Sequence, residues 1–232
     1  MTASSERLAA QTNKALRFIR EYSDHEKSKA KSLGRKFKPL GQSALETQAH
    51  RSAVCAQRLA KPGVLILNDP VGSGKTLVAL AAARLLLGES KSGANRVKRV
   101  VIVAPSKQVA ALWVDRAKAA GLEPHRVDGT QRLPSGNVFV VTFAELRGTL
   151  PTRLRRGGNL LVIVDEAHRG LHNDTTKAHG NVTKITRQSR VLLVTATPFQ
   201  LRASGLVNLL EIDGNDGRGA LIGVYGRAVR DW

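Results

Sequence analysis

The fold is decided by one stretch, Val64-Leu65-Ile66-Leu67-Asn68-Asp69-Pro70-Val71-Gly72-Ser73-Gly74-Lys75-Thr76. A short apolar run enters a glycine-rich turn, and the alanine- and leucine-rich segment from Leu77 to Leu87 follows it. A strand, such a turn and a helix in this order are the setting of a phosphate-binding loop. Glycines let several backbone N–H groups approach phosphate oxygens, and the helix adds the positive end of its dipole. We therefore expect this loop to bind a nucleoside triphosphate through Gly72, Ser73, Gly74, Lys75 and Thr76.

Lys75 and Thr76 have separate expected roles in the loop. The Lys75 ammonium reaches the β- and γ-phosphates, and the Thr76 hydroxyl is a ligand of Mg²⁺. The complete pattern has a glycine where this sequence has Asp69. A chance match in a surface turn is therefore the alternative for this motif taken alone.

A second apolar run, Leu160 to Val164, ends in Asp165-Glu166-Ala167-His168. Parallel sheets bind ligands at the carboxyl ends of their strands, so carboxylates at this point favour a site. Asp165 is expected to hold the Mg²⁺ that bridges the phosphates, and Glu166 is expected to polarise the attacking water as a general base. An acidic helix start is the alternative for this pair alone.

A third apolar run, Val191 to Val194, ends in Thr195-Ala196-Thr197-Pro198. The proline stops the strand, and the two threonines place hydroxyl groups at its end. In the context of the other two motifs, we expect Thr195 and Thr197 to hydrogen-bond near His168 or near the metal.

The pattern of apolar runs predicts an α/β fold with a doubly wound parallel sheet. The runs are apolar throughout, which is typical of strands that are covered on both faces, and they alternate with helical patterns. The predicted strands are Val64–Leu67, Val100–Val103, Val138–Val141, Leu160–Val164 and Val191–Val194, with His125–Val127 as a short candidate. The predicted helices are Ser43–Leu59 with Ser43 as its N-cap, Lys75–Leu87, Lys107–Ala120, Phe143–Arg147, Thr175–Gln188 and Ala203–Leu210.

The N-terminal part of the chain differs from the rest. Residues 4 to 33 are predicted to form a polar helix with a thin apolar stripe, and a dense basic cluster runs from Lys27 to Lys38. We expect a helical, basic extension over residues 1–36 and the nucleotide-binding domain over residues 37–232. The cluster binds phosphate backbones or is a solvated linker, and the sequence does not separate the two.

Charge favours a polyanionic partner. The chain has 37 Lys and Arg against 18 Asp and Glu, a net charge of +19, so nucleic acid is the expected partner. Aromatic residues make up 4% of the chain, which favours contacts to phosphate over stacking on bases. The single cysteine, Cys55, permits no intrachain disulfide and is expected in the core. No signal peptide or membrane span is recognised, so we expect an intracellular location, cytoplasmic in a bacterium or nuclear in a eukaryote.

The three motifs together resemble motifs I, II and III of superfamily 2 helicases and translocases: Gly72-Ser73-Gly74-Lys75-Thr76, Asp165-Glu166-Ala167-His168 and Thr195-Ala196-Thr197-Pro198. Val100 to Ser106, running on to Leu112 and Trp113, is similar to motif Ia, and Val140 to Phe143 is similar to the segment that carries motif Ib. Within the superfamily the chain most resembles the Swi/Snf-like double-stranded DNA translocases, in which Asp69 in place of the first glycine is normal. The resemblance covers roughly residues 37 to 212.

The resemblance implies the first RecA-like domain of an ATP- and Mg²⁺-dependent motor. It implies that His168, Thr195 and Thr197 couple the nucleotide state to nucleic acid, and that loops marked by Pro105, Ser106 and Thr142 contact the nucleic-acid backbone. It also implies a glutamine that reads adenine. For that role Gln42 is the nearer match, and Gln48 is the other candidate. The strand of Thr195 is expected between the strands of the phosphate loop and of Asp165.

Family enzymes hydrolyse ATP between two RecA-like domains, and the stretch after Pro198 is too short for a second domain of about 100–150 residues. We expect that domain elsewhere in a longer polypeptide or on a partner chain, and slow hydrolysis without it. The sequence therefore predicts the motor half of a nucleic-acid-dependent ATPase, either a helicase or a translocase on double-stranded DNA. The alternative is an ATP-regulated module that binds nucleic acid or protein and hydrolyses little ATP itself.

Overall fold

The computed structural model describes residues 3–88, 96–128, 132–171, 176–196, 209–210, 212 and 220–223. Its strands are β1 (Gly63–Asn68), β2 (Arg99–Ala104), β3 (Pro124–Arg126), β4 (Val138–Thr142), β5 (Leu160–Asp165), β6 (Arg190–Thr195) and β7 (Ala220–Gly223). They form one sheet in the order β3-β4-β2-β5-β6-β1-β7, and every pairing is parallel. All six predicted strands are confirmed, whereas the short strand β7 was not predicted.

The helices are α1 (Ala3–Ser32), α2 (Gln42–Arg58), α3 (Lys75–Gly88), α4 (Lys107–Ala119), α5 (Leu150–Arg155), α6 (Ala167–Leu171) and α7 (Lys177–Thr186). Helices α1 to α4 pack on one face of the sheet, and α5 to α7 pack on the other. The doubly wound α/β fold is therefore confirmed. No helix within the described ranges combines the length and the apolar character needed to cross a membrane.

Alternation along the strands divides the core into two layers. In β1, Leu65 and Leu67 belong to the layer under α1 to α4, and Val64 and Ile66 belong to the layer under α5 to α7. Both sets are buried, which is why the strands lack a polar face in the sequence. Cys55 lies in the first layer as predicted, and burial raises the pKa of its thiol to about 12.

Two local predictions are wrong. Phe143–Arg147 is a turn, because Glu145 Oε2 accepts hydrogen bonds from the Thr142 backbone N–H at 3.0 Å and from the Thr142 hydroxyl at 2.7 Å. A helix of six residues, α5, begins only at Leu150. The N-cap of α2 is Gly41 rather than Ser43, and no side chain caps it. The predicted helix Ala203–Leu210 lies mostly outside the described residues.

Helix α1 packs closely against the rest of the fold. Its Ala15 and Ile19 are fully buried in the first layer. The Arg84 guanidinium of α3 lies 3.8 Å from the centre of the Phe18 ring, and it donates hydrogen bonds to Glu21 at 2.8 Å and to the carbonyl of Ala120 at 3.2 Å. One arginine thus joins α1, α3 and the end of α4.

Candidate nucleotide-binding site

The strand register brings the three predicted motifs to one edge of the sheet. In the pairing of β1 with β6, Asn68 lies opposite Thr195, and in the pairing of β5 with β6, Asp165 lies opposite Val194. The strand that ends in Thr195 therefore lies between the other two, as the resemblance implied. Because the strands are parallel, all three motifs follow carboxyl ends, where this class of sheet binds ligands.

The loop after β1 has the backbone that close approach to phosphate requires. Gly72 and Gly74 have φ angles of +83° and +87°, a left-handed conformation that glycine adopts without strain. A Cβ atom added at Gly74 would lie 2.1 Å from Gln48 Nε2, so a side chain at this position would displace the Gln48 amide. The Lys75 ammonium donates to the carbonyl oxygens of Asp69 at 2.6 Å and Pro70 at 2.8 Å, which holds it over the loop.

Electrostatics at Lys75 combine opposing effects. Burial lowers the pKa of Lys75, and the negative charges of Asp69, Glu166 and Asp165 act in the opposite direction, with burial prevailing. Asp69 itself is buried and pairs with Arg51 at 3.0 Å. The residue that breaks the complete loop pattern thus ties the loop to α2.

Gln48, rather than Gln42, lies at this loop. Gln48 is 5% exposed, and its Nε2 donates to the carbonyl of Ser73 at 3.2 Å. Gln42 is exposed at the start of α2, where it bonds to Glu46 and to Arg20 at 3.4 Å. The preference for Gln42 is therefore corrected to Gln48, because one and a half helical turns carry the chain from the surface to the loop. The part of Gln48 in reading adenine stays a prediction.

Asp165 is held by two hydrogen bonds at the end of β5. Its Oδ2 accepts from the Trp113 indole N–H at 2.8 Å, and its Oδ1 accepts from the Glu166 backbone N–H at 3.0 Å. Burial raises the pKa of Asp165, the Trp113 bond opposes that rise, and the neighbouring charge of Glu166 adds to it. Glu166 has a φ angle of +48°, a conformation that is costly for a non-glycine residue and is typical of functional sites.

His168 connects this carboxylate pair to the next strand. Its Nδ1 lies 2.9 Å from Thr195 Oγ1 and 3.3 Å from Glu166 Oε2. The predicted proximity of Thr195 and His168 is therefore observed, and Thr195 is 1% exposed. Thr197, the other predicted coupling residue, lies outside the described residues.

The three residues predicted to mark nucleic-acid contacts have different surroundings. Pro105 and Ser106 are half-buried at the carboxyl end of β2, and Ser106 Oγ accepts from the Val109 N–H at 3.3 Å as the N-cap of α4. Thr142 is 2% exposed, and its hydroxyl donates to Glu145. The Thr142 side chain thus holds the turn after β4, and the contact of this loop with nucleic acid stays a prediction.

A cavity of about 590 Å³ opens beside the loop, within the size range of small-molecule sites. It is lined by Tyr22, Glu26, Leu40, Gln48, Val71, Gly72, Gly74, Lys75, Thr76, Leu77, Arg116, Asp165, Glu166 and Val194. Two buried polar atoms of this region, Gln48 Oε1 and Ser73 Oγ, have no hydrogen-bond partner among the described residues. Unpaired polar atoms, a glycine cradle and a lysine at one cavity fit a polar phosphate ligand with its metal.

Several of these residues were not found by sequence reasoning. Trp113 belongs to the segment that resembles motif Ia, but its bond to Asp165 depends on the packing of α4 against β2 and β4. Tyr22 and Glu26 lie on α1, far from the loop in sequence. Arg116 carries no motif signal, and the structure alone places it at the loop.

Comparison with known proteins gives the family. The family described as "Type III restriction enzyme, res subunit" matches residues 36–200. The chain belongs to this family. It contains the N-terminal RecA-like domain of superfamily 2 helicases and translocases, as the three motifs implied. Helix α1 precedes the matched region.

Two relatives match more than half of this chain. "Protein CHROMATIN REMODELING 25" from Arabidopsis thaliana is 31% identical over 150 residues, 58% of this chain and 16% of that protein. The "DNA repair and recombination protein RAD54-like" of Danio rerio is 26% identical over 164 residues, 63% of this chain and 22% of that protein. The chain thus spans about a sixth of the Arabidopsis thaliana protein and about a fifth of the Danio rerio protein.

Among solved structures, the Sulfolobus solfataricus SWI2/SNF2 ATPase core in complex with dsDNA matches with a TM-score of 0.57 at 20% identity. That match covers 75% of this chain and 36% of the solved chain. The Pyrococcus furiosus Hef helicase domain matches with a TM-score of 0.56 at 18% identity, over 79% of this chain and 39% of that one. At these identities the similarity shows the RecA-like fold.

Proposed function

We propose that this chain is the ATP-binding half of a nucleic-acid-dependent motor that acts on double-stranded DNA. One observation carries the proposal: Lys75 and Thr76 of the loop line one cavity together with Asp165 and Glu166. The His168–Thr195 contact lies at the adjacent strand end. The family match over residues 36–200 supports the same reading. We further propose residues 37–232 as the motor domain and residues 1–36 as its helical, basic extension.

Each side chain has a role that its surroundings support. Gly72 to Gly74 present backbone N–H groups, and Lys75 places a positive charge for the β- and γ-phosphates of ATP. Thr76 and Asp165 would hold the Mg²⁺, which when bound neutralises charge on the phosphates. Glu166, strained in its backbone and close to Asp165, acts as the general base that polarises the attacking water.

The contact between His168 and Thr195 connects the hydrolysis site to β6. His168 also lies 3.3 Å from Glu166, so a change at the general base reaches Thr195 through one imidazole. We propose that this connection, together with Thr197, couples the nucleotide state to the loops that contact nucleic acid. Pro105 and Ser106 mark one such loop at the same edge of the sheet.

The choice of double-stranded DNA rests on charge and on the relatives. The net charge of +19 favours a phosphate backbone. The curated relatives are named for chromatin remodelling and for DNA repair and recombination, and one similar structure is an ATPase core bound to dsDNA. We also propose that a second RecA-like domain, in the same polypeptide or on a partner, completes the site and supplies arginine that accelerates hydrolysis.

The test is ATP turnover by this chain with no nucleic acid, with double-stranded DNA, with single-stranded DNA and with RNA. Lys75→Ala and Glu166→Gln serve as controls, because the first removes the phosphate-binding charge and the second removes the base while keeping the shape. Turnover that double-stranded DNA stimulates, and that both variants abolish, is the expected result. Stimulation by RNA alone would overturn the choice of partner.

A second candidate, an ATP-regulated binding module, predicts a different result in the same assay. It predicts tight ATP binding and no turnover under any condition, even after the second domain is supplied. The intact set of Lys75, Asp165 and Glu166 counts against it, because a pure binder has no need of the general base.

A further inference from the structure

Arg116 lies on α4, outside every motif described above, and its guanidinium reaches the phosphate loop. Its Nη1 donates a hydrogen bond to Thr76 Oγ1 at 3.2 Å. The residue is exposed to solvent and lines the 590 Å³ cavity. Arg116 therefore contacts the Thr76 hydroxyl, which we propose as a ligand of Mg²⁺.

This contact places the guanidinium within reach of bound phosphate. Thr76 and Asp165 would hold the Mg²⁺ of a bound nucleotide, so its phosphate oxygens would lie close to Thr76. Arg116 Nη1, at 3.2 Å from Thr76 Oγ1, would lie beside them. A small rotation of the side chain transfers its donor from the hydroxyl to one of these oxygens, and the planar fork offers further donors.

The charges around the cavity also favour a second cation. Glu26, Asp165 and Glu166 contribute carboxylates to the described lining, and Lys75 and Arg116 are the cations of that lining. Glu26 belongs to α1, which precedes the family-matched residues 36–200, so a third carboxylate reaches the cavity from outside the matched region. The phosphates of a nucleotide in this cavity would be repelled by three carboxylates, and a second cation beside Lys75 would offset part of that repulsion.

We propose that Arg116 is a phosphate-binding residue of this nucleotide site and donates to β- and γ-phosphate oxygens next to Thr76, the residue that with Asp165 would hold the Mg²⁺. The inference rests on the proposed ATP site and adds a contact to it. Arg116 differs from Lys75 in position, since it approaches from α4 rather than from the loop. Arg116 thus gives the domain a second cation for the phosphates, in addition to Lys75.

The experiment is a calorimetric titration of the chain with ATP, once with Mg²⁺ and once with EDTA. Arg116→Ala removes the guanidinium, Arg116→Lys keeps the charge and shortens the reach, and Lys118→Ala is the matched control. Lys118 is exposed on the same helix and does not line the cavity. Thermal unfolding confirms that each variant is folded, which an exposed position favours.

The expected result is an about tenfold higher Kd for Arg116→Ala, since hydrogen bonds to charged groups are among the stronger ones. The loss should appear both with Mg²⁺ and with EDTA, because the guanidinium touches phosphate directly. Arg116→Lys should lose less, and Lys118→Ala should stay within about twofold of the unchanged chain.

Three outcomes overturn the inference. Arg116→Ala binds ATP as well as the unchanged chain, or Lys118→Ala loses as much, or the loss appears only with Mg²⁺. The last would mean that Arg116 only positions Thr76. These failures are distinct from failure of the proposed function, which would appear as an unchanged chain that does not bind ATP or binds it equally well after Lys75→Ala.

Discussion

The hydrogen bond from Trp113 to Asp165 gives a prediction that the sequence motifs alone do not make. Trp113→Phe keeps an aromatic ring in a position that is 2% exposed and removes the N–H donor. Asp165 Oδ2 then loses its 2.8 Å partner, while Oδ1 keeps the Glu166 backbone bond. The ionised form of a carboxylate that is already largely buried becomes less favourable.

The size of the effect follows from the bond that is lost. A hydrogen bond to a charged group contributes about 1.5–3 kcal/mol, and the lower end applies because Asp165 keeps its second donor. About 1.5 kcal/mol corresponds to roughly one pKa unit. Because the Trp113 bond opposes the rise that burial causes, its removal should raise the pKa of Asp165 by about that amount.

The assay is the affinity for ATP with Mg²⁺ at a series of pH values from acid to neutral. Protons compete with Mg²⁺ for Asp165, so the acid limb of the profile should move to higher pH by about one unit in Trp113→Phe. Leu112→Ala is the control, since this neighbouring side chain is 50% exposed and has no contact with Asp165 in the structure. Thermal unfolding measures the separate loss of packing.

The reasoning also predicts how this change combines with a second one. Asp165→Asn removes the titrating group, so Trp113→Phe should produce no further shift of the acid limb in that background. An unmoved acid limb in folded Trp113→Phe, or an equal shift in the Asp165→Asn background, would refute the proposed action of Trp113 on Asp165.

Asp165→Asn should raise the unfolding temperature at neutral pH, because the pKa of Asp165 is raised in the folded protein and stability is lost as pH rises through that pKa. The increase in unfolding temperature should be much smaller below the ordinary pKa of aspartate. An equal increase at both pH values would contradict this reasoning. Gln48→Ala should raise the Kd for ATP several-fold while Gln42→Ala leaves it unchanged, since only Gln48 touches the loop; equal effects in titrations would reject the assignment. Arg84→Ala removes the contacts with Phe18 and Glu21, so it should weaken the docking of α1 by about 1 kcal/mol and speed amide hydrogen exchange around those two residues. Unchanged exchange would show that buried side chains of α1 such as Ile19 hold the helix without Arg84.

The strands and the loop were predictable because their signals are local. The strands β1, β2, β4, β5 and β6 are buried on both faces and therefore contain continuous apolar runs. The loop residues Gly72 to Thr76 are contiguous, and their chemistry requires those residue types. The order of the strands of Asp165, Thr195 and the loop followed from the family resemblance and is confirmed by the register.

The remaining parts depend on contacts between residues far apart in sequence. Trp113 meets Asp165 and Arg116 meets Thr76 only because α4 packs on β2 and β4 and beside α3, and no short-range pattern encodes those contacts. Gln42 is the nearer match to the upstream segment of the family, and Gln48 also fits it. Only the direction of α2 shows that Gln48 is the one that lies at the loop. The turn at Phe143 depends on a carboxylate three residues after Thr142, which also fits a helix pattern.

The measurement that tests the central claim most directly is the binding of ATP to this chain, by titration calorimetry with and without Mg²⁺. The account predicts one site per chain, tighter binding with Mg²⁺, loss of binding in Lys75→Ala, and loss of the Mg²⁺ dependence in Asp165→Asn. Binding that Lys75→Ala leaves unchanged, or no binding by the unaltered chain, would contradict the assignment of this cavity to ATP.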